Sequence, residues 1–160
     1  MNPNGLVPAI VHEGVSVWES AAVTLYLGET FGEAKGLYPK LGPTRGEAMK
    51  WIVWTNTTFG EAMRRVIGTF KEPGESDAEK AFVAKRADKA RDDLRDMLRI
   101  LDEALAQREY LLGEQYSLAD THVWAFVSAL GMVQVDIAHY GKLKAWVERI
   151  AARPAQTQAQ

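Results

Sequence analysis

A chain of 160 residues with 47% hydrophobic and 25% charged residues has an ordinary globular composition and is long enough to bury a core without covalent staples. Its formal net charge is -2, with Lys and Arg interleaved among acids, which excludes a phosphate-tracking surface and predicts no nucleic-acid partner. Cys is absent, excluding a protein thiol nucleophile, Cys-ligated zinc and iron–sulfur clusters, and this agrees with a reducing, cytoplasmic setting.

The first residues, rich in Asn, Pro and Gly, have no basic segment ahead of an apolar run, so no signal peptide is predicted. Pro8 to Val11 and Val15 to Trp18 are short β-type runs separated by His12-Glu13-Gly14, the pattern of a hairpin. From Ser20 the period becomes helical: Ala22, Val23, Tyr26, Leu27 and Phe31 recur at spacings of three and four, and Gly32 is the expected stop. Gly36 to Pro43, with its Pro and Gly residues, predicts a linker.

Three further helices open with recognisable caps. Thr44 with Glu47 predicts a capping box before a helix to about Phe70. A turn from Lys71 to Glu75 follows. Ser76 with Glu79 then opens a long charged helix to about Gln107, whose apolar stripe is Phe82, Ala90, Leu94, Met97, Leu98 and Leu101. Ser117 with Asp120 caps a third, with Tyr116 ahead of it as a staple. The apolar stretch Val123 to Val133 is too short for a bilayer, which takes about 20 residues, and predicts a buried core helix and no membrane partner. The last helix covers Lys142 to Ala152 and stops at Arg153-Pro154, leaving a short tail from Ala155. The expected fold is mainly α: a hairpin and one helix, a linker, then a helical bundle.

Three motifs carry a family resemblance. Asn2-Pro3-Asn4-Gly5-Leu6-Val7-Pro8-Ala9 is followed by Glu19-Ser20 at a helix start. Ser117-Leu118-Ala119-Asp120 comes next, and Leu143, Trp146, Ile150 and Arg153-Pro154 close the series. In this order and spacing the chain resembles the cytosolic glutathione S-transferases. The resemblance implies residues 1–35 as part of a thioredoxin-like domain, 36–43 as linker, 44–154 as the all-helical C-terminal domain and 155–160 as tail. It implies glutathione as co-substrate or ligand, held by Val7, Pro8, Glu19 and Ser20, and a small electrophile as second substrate. In the family the Pro is cis and the residue before it pairs its backbone with the cysteinyl part of glutathione. Ser20, at a helix N-terminus, suits the γ-glutamyl carboxylate, and Glu19 the ammonium group. Ser117 and Asp120 are implied to be a structural capping box.

Two departures shape the expectation. Relatives often carry Lys where this chain has Leu6, a charge-assisted contact of about 1.5–3 kcal/mol to the glycine carboxylate. The family's catalytic Ser, Tyr or Cys, which stabilises the glutathione thiolate, falls on a strand-loop-helix preceding Met1, so the sequence reads as a truncated member. Ser16, Tyr26 and Tyr38 are substitutes by residue type only. The uncovered edge beside Pro8 to Val11 predicts self-association as a homodimer. The second substrate is expected against the helix from Thr44, with Asn56, Phe59 and Met63 as pocket. His12, His122 and His139 have no ligand spacing, and no metal is expected. Two function classes follow: a glutathione-conjugating transferase, or a non-catalytic glutathione-binding or interaction scaffold of the same fold.

Overall fold

In the computed structural model, which describes residues 2–71 and 74–154, strands β1 (Ala9–His12) and β2 (Val15–Trp18) pair antiparallel, Ala9 opposite Trp18 and His12 opposite Val15. The two-residue turn between them holds Glu13 at φ 50 and Gly14 at φ 81. Both angles are positive, as a turn matching the twist of its strands requires.

Helix α1 (Ser20–Leu27) does not end at Gly32 as its sequence suggests. It runs on through a π turn, Gly28–Gly32, and a 3-10 turn, Glu33–Lys35, and stops at Gly36 in the left-handed conformation, φ 67. Gly28 and Gly32 serve packing instead. A Cβ on Gly28 would lie 2.8 Å from the Tyr38 ring, and one on Gly32 2.9 Å from the Tyr38 Cβ. Buried Tyr38 thus folds the segment after α1 back onto the helix.

Helix α2 (Pro43–Trp54) starts one residue earlier than its expected cap, because Pro43 occupies the first helical position and Gly42 the cap. Thr44 and Glu47 therefore form no capping box. Glu47 instead accepts a hydrogen bond from Arg108 Nη1 at 2.8 Å, which holds its carboxyl below the usual range. The predicted single helix to Phe70 is interrupted by a π turn at Thr55–Phe59 before α3 (Gly60–Lys71). The Thr55-Asn-Thr-Thr run explains it: Thr55 and Thr57 hydroxyls donate back to the carbonyls of Trp51 and Val53, at 2.7 and 3.0 Å.

Helix α4 (Asp77–Ala104) opens with the predicted reciprocal box between Ser76 and Glu79. The expected turn from Lys71 to Glu75 falls partly outside the described residues, and the tail from Ala155 lies wholly outside them. From Asp77 to Arg86 no residue of α4 is fully buried, so Phe82, expected in the apolar stripe, is 63% exposed. Burial begins at Ala87 and continues through Ala90, Leu94, Leu98 and Leu101, the face packed along α3.

Helix α5 (Leu118–Val127) is shorter than the Val123–Val133 run implied; a 3-10 turn takes Leu130–Val133, and Met132 points into solvent. Asp120, fully buried, organises this region. One carboxylate oxygen accepts from Ser117 N–H (2.9 Å) and the Ser117 hydroxyl (2.7 Å). The other accepts from Leu111 N–H (2.8 Å) and the Trp146 indole (2.9 Å). Tyr116 closes the cap through its hydroxyl, 2.8 Å from Thr121 Oγ1, where an apolar staple was expected. Helix α6 (Gly141–Ala151) contributes Leu143, Trp146 and Ile150 to the core. Among the described residues no helix is long and apolar enough to cross a membrane, and no three His, Asp or Glu side chains are grouped to hold a metal.

Candidate functional site

The hairpin brings Val7-Pro8, at the entry of β1, to the same end of the molecule as the start of α1. The Val7–Pro8 peptide bond is cis, and Val7 is 92% exposed. Where β2 turns into α1, Glu19 holds φ 72 and ψ 125, a region that L side chains avoid. Its side chain does not cap the helix. The first intrahelical bond is made by Val23 N–H to the Glu19 carbonyl at 2.9 Å, so the N–H groups of Ser20, Ala21 and Ala22 precede the ladder.

Behind this helix start lies a polar cluster that spans three elements. Asn56 Nδ2 donates to Ser20 Oγ at 2.8 Å. Asn56 Oδ1 lies 2.6 Å from His122 Nε2. The other ring nitrogen, Nδ1, is 2.9 Å from Thr24 Oγ1, whose hydroxyl donates to the Ser20 carbonyl at 2.9 Å. The cluster therefore closes on itself through Ser20, Asn56, His122 and Thr24. Burial holds His122 neutral, its pKa pushed down to about 4. Beside it, Glu19, Asn56, Thr57, Gly60, Arg64 and Phe126 line a shallow depression of about 410 Å³.

Of the expected pocket residues, only Asn56 borders this depression. Phe59 and Met63 are 1% and 6% exposed and belong to the core, so they are corrected from pocket to packing residues. The π turn is the cause: its extra residue shifts the helix phase, so 56, 60 and 64 face the depression while 59 and 63 face inward. The hydroxyls considered as thiol activators are buried or already paired. Ser16 Oγ and Tyr38 Oη are buried without a hydrogen-bond partner, and Tyr26 Oη lies 2.6 Å from His12 Nδ1. The sequence reading missed His122 and Thr24. The available signal was a lone His on the face of α5 shared by Ala119, Val123 and Phe126, where helical spacing expects an apolar side chain.

An exposed helix start behind a hairpin, docked through a polar cluster onto a bundle organised by Asp120, defines the class as a glutathione-transferase-like fold. A model of the glutathione S-transferase C-terminal domain matches residues 61–154, more than half of the chain. The chain belongs to the glutathione S-transferase family. It is 28% identical over 166 residues to the disulfide-bond oxidoreductase YfcG of Escherichia coli strain K12, covering 99% of this chain and 73% of that protein. A sphingomonad glutathione S-transferase solved in complex with glutathione superimposes with a TM-score of 0.81 at 28% identity, covering 99% of this chain and 74% of the other. A beta-class glutathione S-transferase from Sphingomonas chungbukensis gives a TM-score of 0.79 at 27% identity, with coverage of 99% and 74%.

Proposed function

We propose that this protein captures glutathione at Val7, Pro8, Glu19 and Ser20 and presents its thiol to a small electrophile, as a glutathione S-transferase-like protein. The observation that carries this reading is the start of α1. Uncapped N–H groups, the helix dipole and a half-buried Ser20 hydroxyl converge there on one point, beside an exposed carboxylate at Glu19. That is the complement of the γ-glutamyl end of the tripeptide, an anion next to an ammonium group. The exposed Val7 backbone suits the cysteinyl segment by short antiparallel pairing. Leu6 supplies no cation to the glycine carboxylate, so affinity is expected to be modest.

The chemistry of conjugation is attack of the glutathione thiolate on an electrophilic carbon with loss of its leaving group. It needs a donor that stabilises the thiolate. The Ser16 and Tyr38 hydroxyls are buried and the Tyr26 hydroxyl is paired with His12, so the described residues account for capture and orientation. Self-association completes the reading: the hairpin leaves Leu6, Val7, Val11 and Val15 60–92% exposed, and a second copy would cover its open edge.

The test is a thermal-shift titration with glutathione, followed by an aryl-halide conjugation assay. Stabilisation by glutathione that is lost in Ser20→Ala supports the site, and no shift in the wild type refutes it. Stabilisation without turnover would identify a glutathione-binding scaffold, the alternative function class.

A further inference from the structure

The depression beside Glu19 combines an aromatic ring with a cation. We propose that the electrophile taken up there is an aromatic molecule carrying a carboxylate or a similar anionic group, with Phe126 as its platform and Arg64 as the residue that selects it. This rests on the reading of glutathione at Val7, Pro8, Glu19 and Ser20 given above, because Glu19 belongs to both.

Gly60 makes the room. A Cβ there would lie 2.8 Å from Phe126 Cε1 and 3.2 Å from the Thr55 carbonyl oxygen, so a side chain would stand against the ring. Without one, Phe126 borders the depression directly. Phe126 is half-buried and lies beside the His122 ring, centroids 5.7 Å apart, which makes it a fixed surface. A flat aromatic group laid on it gains apolar contact and loses less freedom than a saturated chain of the same area. Arg64 follows Gly60 by one helical turn, on the same face of α3. Among the described residues two charged side chains line the depression, Glu19 and Arg64. Glu19 is assigned to the ammonium group of glutathione, which leaves Arg64 to select the second molecule. Its Nη2 lies 2.6 Å from Glu61 Oε2, but the two side chains are 71% and 51% exposed. A pair so open to water is weakly held. The guanidinium fork can therefore turn to a ligand carboxylate presented against the Phe126 ring, where less water competes. A neutral electrophile gains from Phe126 alone, and a cationic one meets a like charge.

Isothermal calorimetry with three unreactive ligands tests this: glutathione, S-benzylglutathione and S-(4-carboxybenzyl)glutathione. The wild type is expected to bind the carboxybenzyl form at least about fivefold tighter than the benzyl form, and the benzyl form tighter than glutathione. In Arg64→Gln, at an exposed position, the two S-substituted forms are expected to bind alike, within about twofold. Raising the salt from about 0.05 M to about 0.5 M should shrink the wild-type preference, because screening weakens a charge pair near the surface. Equal binding of the two S-substituted forms by the wild type, or a preference that survives in Arg64→Gln, would overturn the role of Arg64 and leave the glutathione site standing. A benzyl form that binds no tighter than glutathione would overturn the Phe126 platform and the aromatic class with it. No glutathione binding by the wild type would instead overturn the reading of the site, and this proposal with it.

Discussion

Glu19 holds φ 72 at the junction of β2 and α1, where glycine would be the least strained residue. Strain at a non-glycine residue costs on the order of 1 kcal/mol or more, and persists where a side chain is needed for function. Glu19→Gly is therefore expected to raise the melting temperature while lowering glutathione affinity; thermal melts with and without glutathione check both. His122 supplies a pH signature. Its folded-state pKa of about 4 lies below the ordinary 6.5, so between those values the unfolded chain takes up a proton that the folded protein does not. Stability is full above about pH 6.5 and falls as pH drops toward 4, by about 3 kcal/mol in total. Urea unfolding at pH 7.5 and 5.0 should show this loss in the wild type and a smaller one in His122→Gln. At the residue scale the bend at Val7-Pro8 and the helix start at Ser20 were legible, because each is written in a short contiguous motif. Thr24, Asn56 and His122 meet only through three separate elements, and nothing in their spacing announces it.

Among the elements, α5 depends on Asp120 more than on its own periodicity. The carboxylate takes four hydrogen bonds, including one from the loop at Leu111 and one from α6 at Trp146. Asp120→Ala leaves several of these buried donors without an acceptor, at about 1–3 kcal/mol each, so a loss of at least about 3 kcal/mol is expected by denaturant unfolding. A change below 1 kcal/mol would contradict this role. Gly28 offers a second test: the Ala methyl would sit 2.8 Å from two atoms of the Tyr38 ring. Gly28→Ala is expected to destabilise by about 1–3 kcal/mol despite its better helix propensity. The boxes at Ser76 and Ser117 were legible because each is written within four residues. The box expected at Thr44 was displaced by Pro43, and the phase of α3 was hidden because a π turn is set by back-bonding hydroxyls that the hydrophobic pattern does not record. Phe59 and Met63 moved from pocket to core for that reason alone.

For the whole molecule, the order of hairpin, helix and bundle was readable from the switch of period at Ser20 and from the caps, and the match over residues 61–154 places the chain in its family. Assembly is a property of surfaces, and the exposed Leu6, Val7, Val11 and Val15 carry that expectation. Light scattering over a concentration series should show a dimer, and Val11→Lys with Val15→Lys should shift it toward monomer. A monomer at every concentration would contradict it. The central claim is capture of a γ-glutamyl anion at the start of α1. Isothermal calorimetry of glutathione against the wild type and Ser20→Ala tests it most directly. The account predicts saturable binding of one tripeptide per chain, weakened about tenfold or more by the substitution. Equal affinity in the two proteins, or no binding in the wild type, would contradict it.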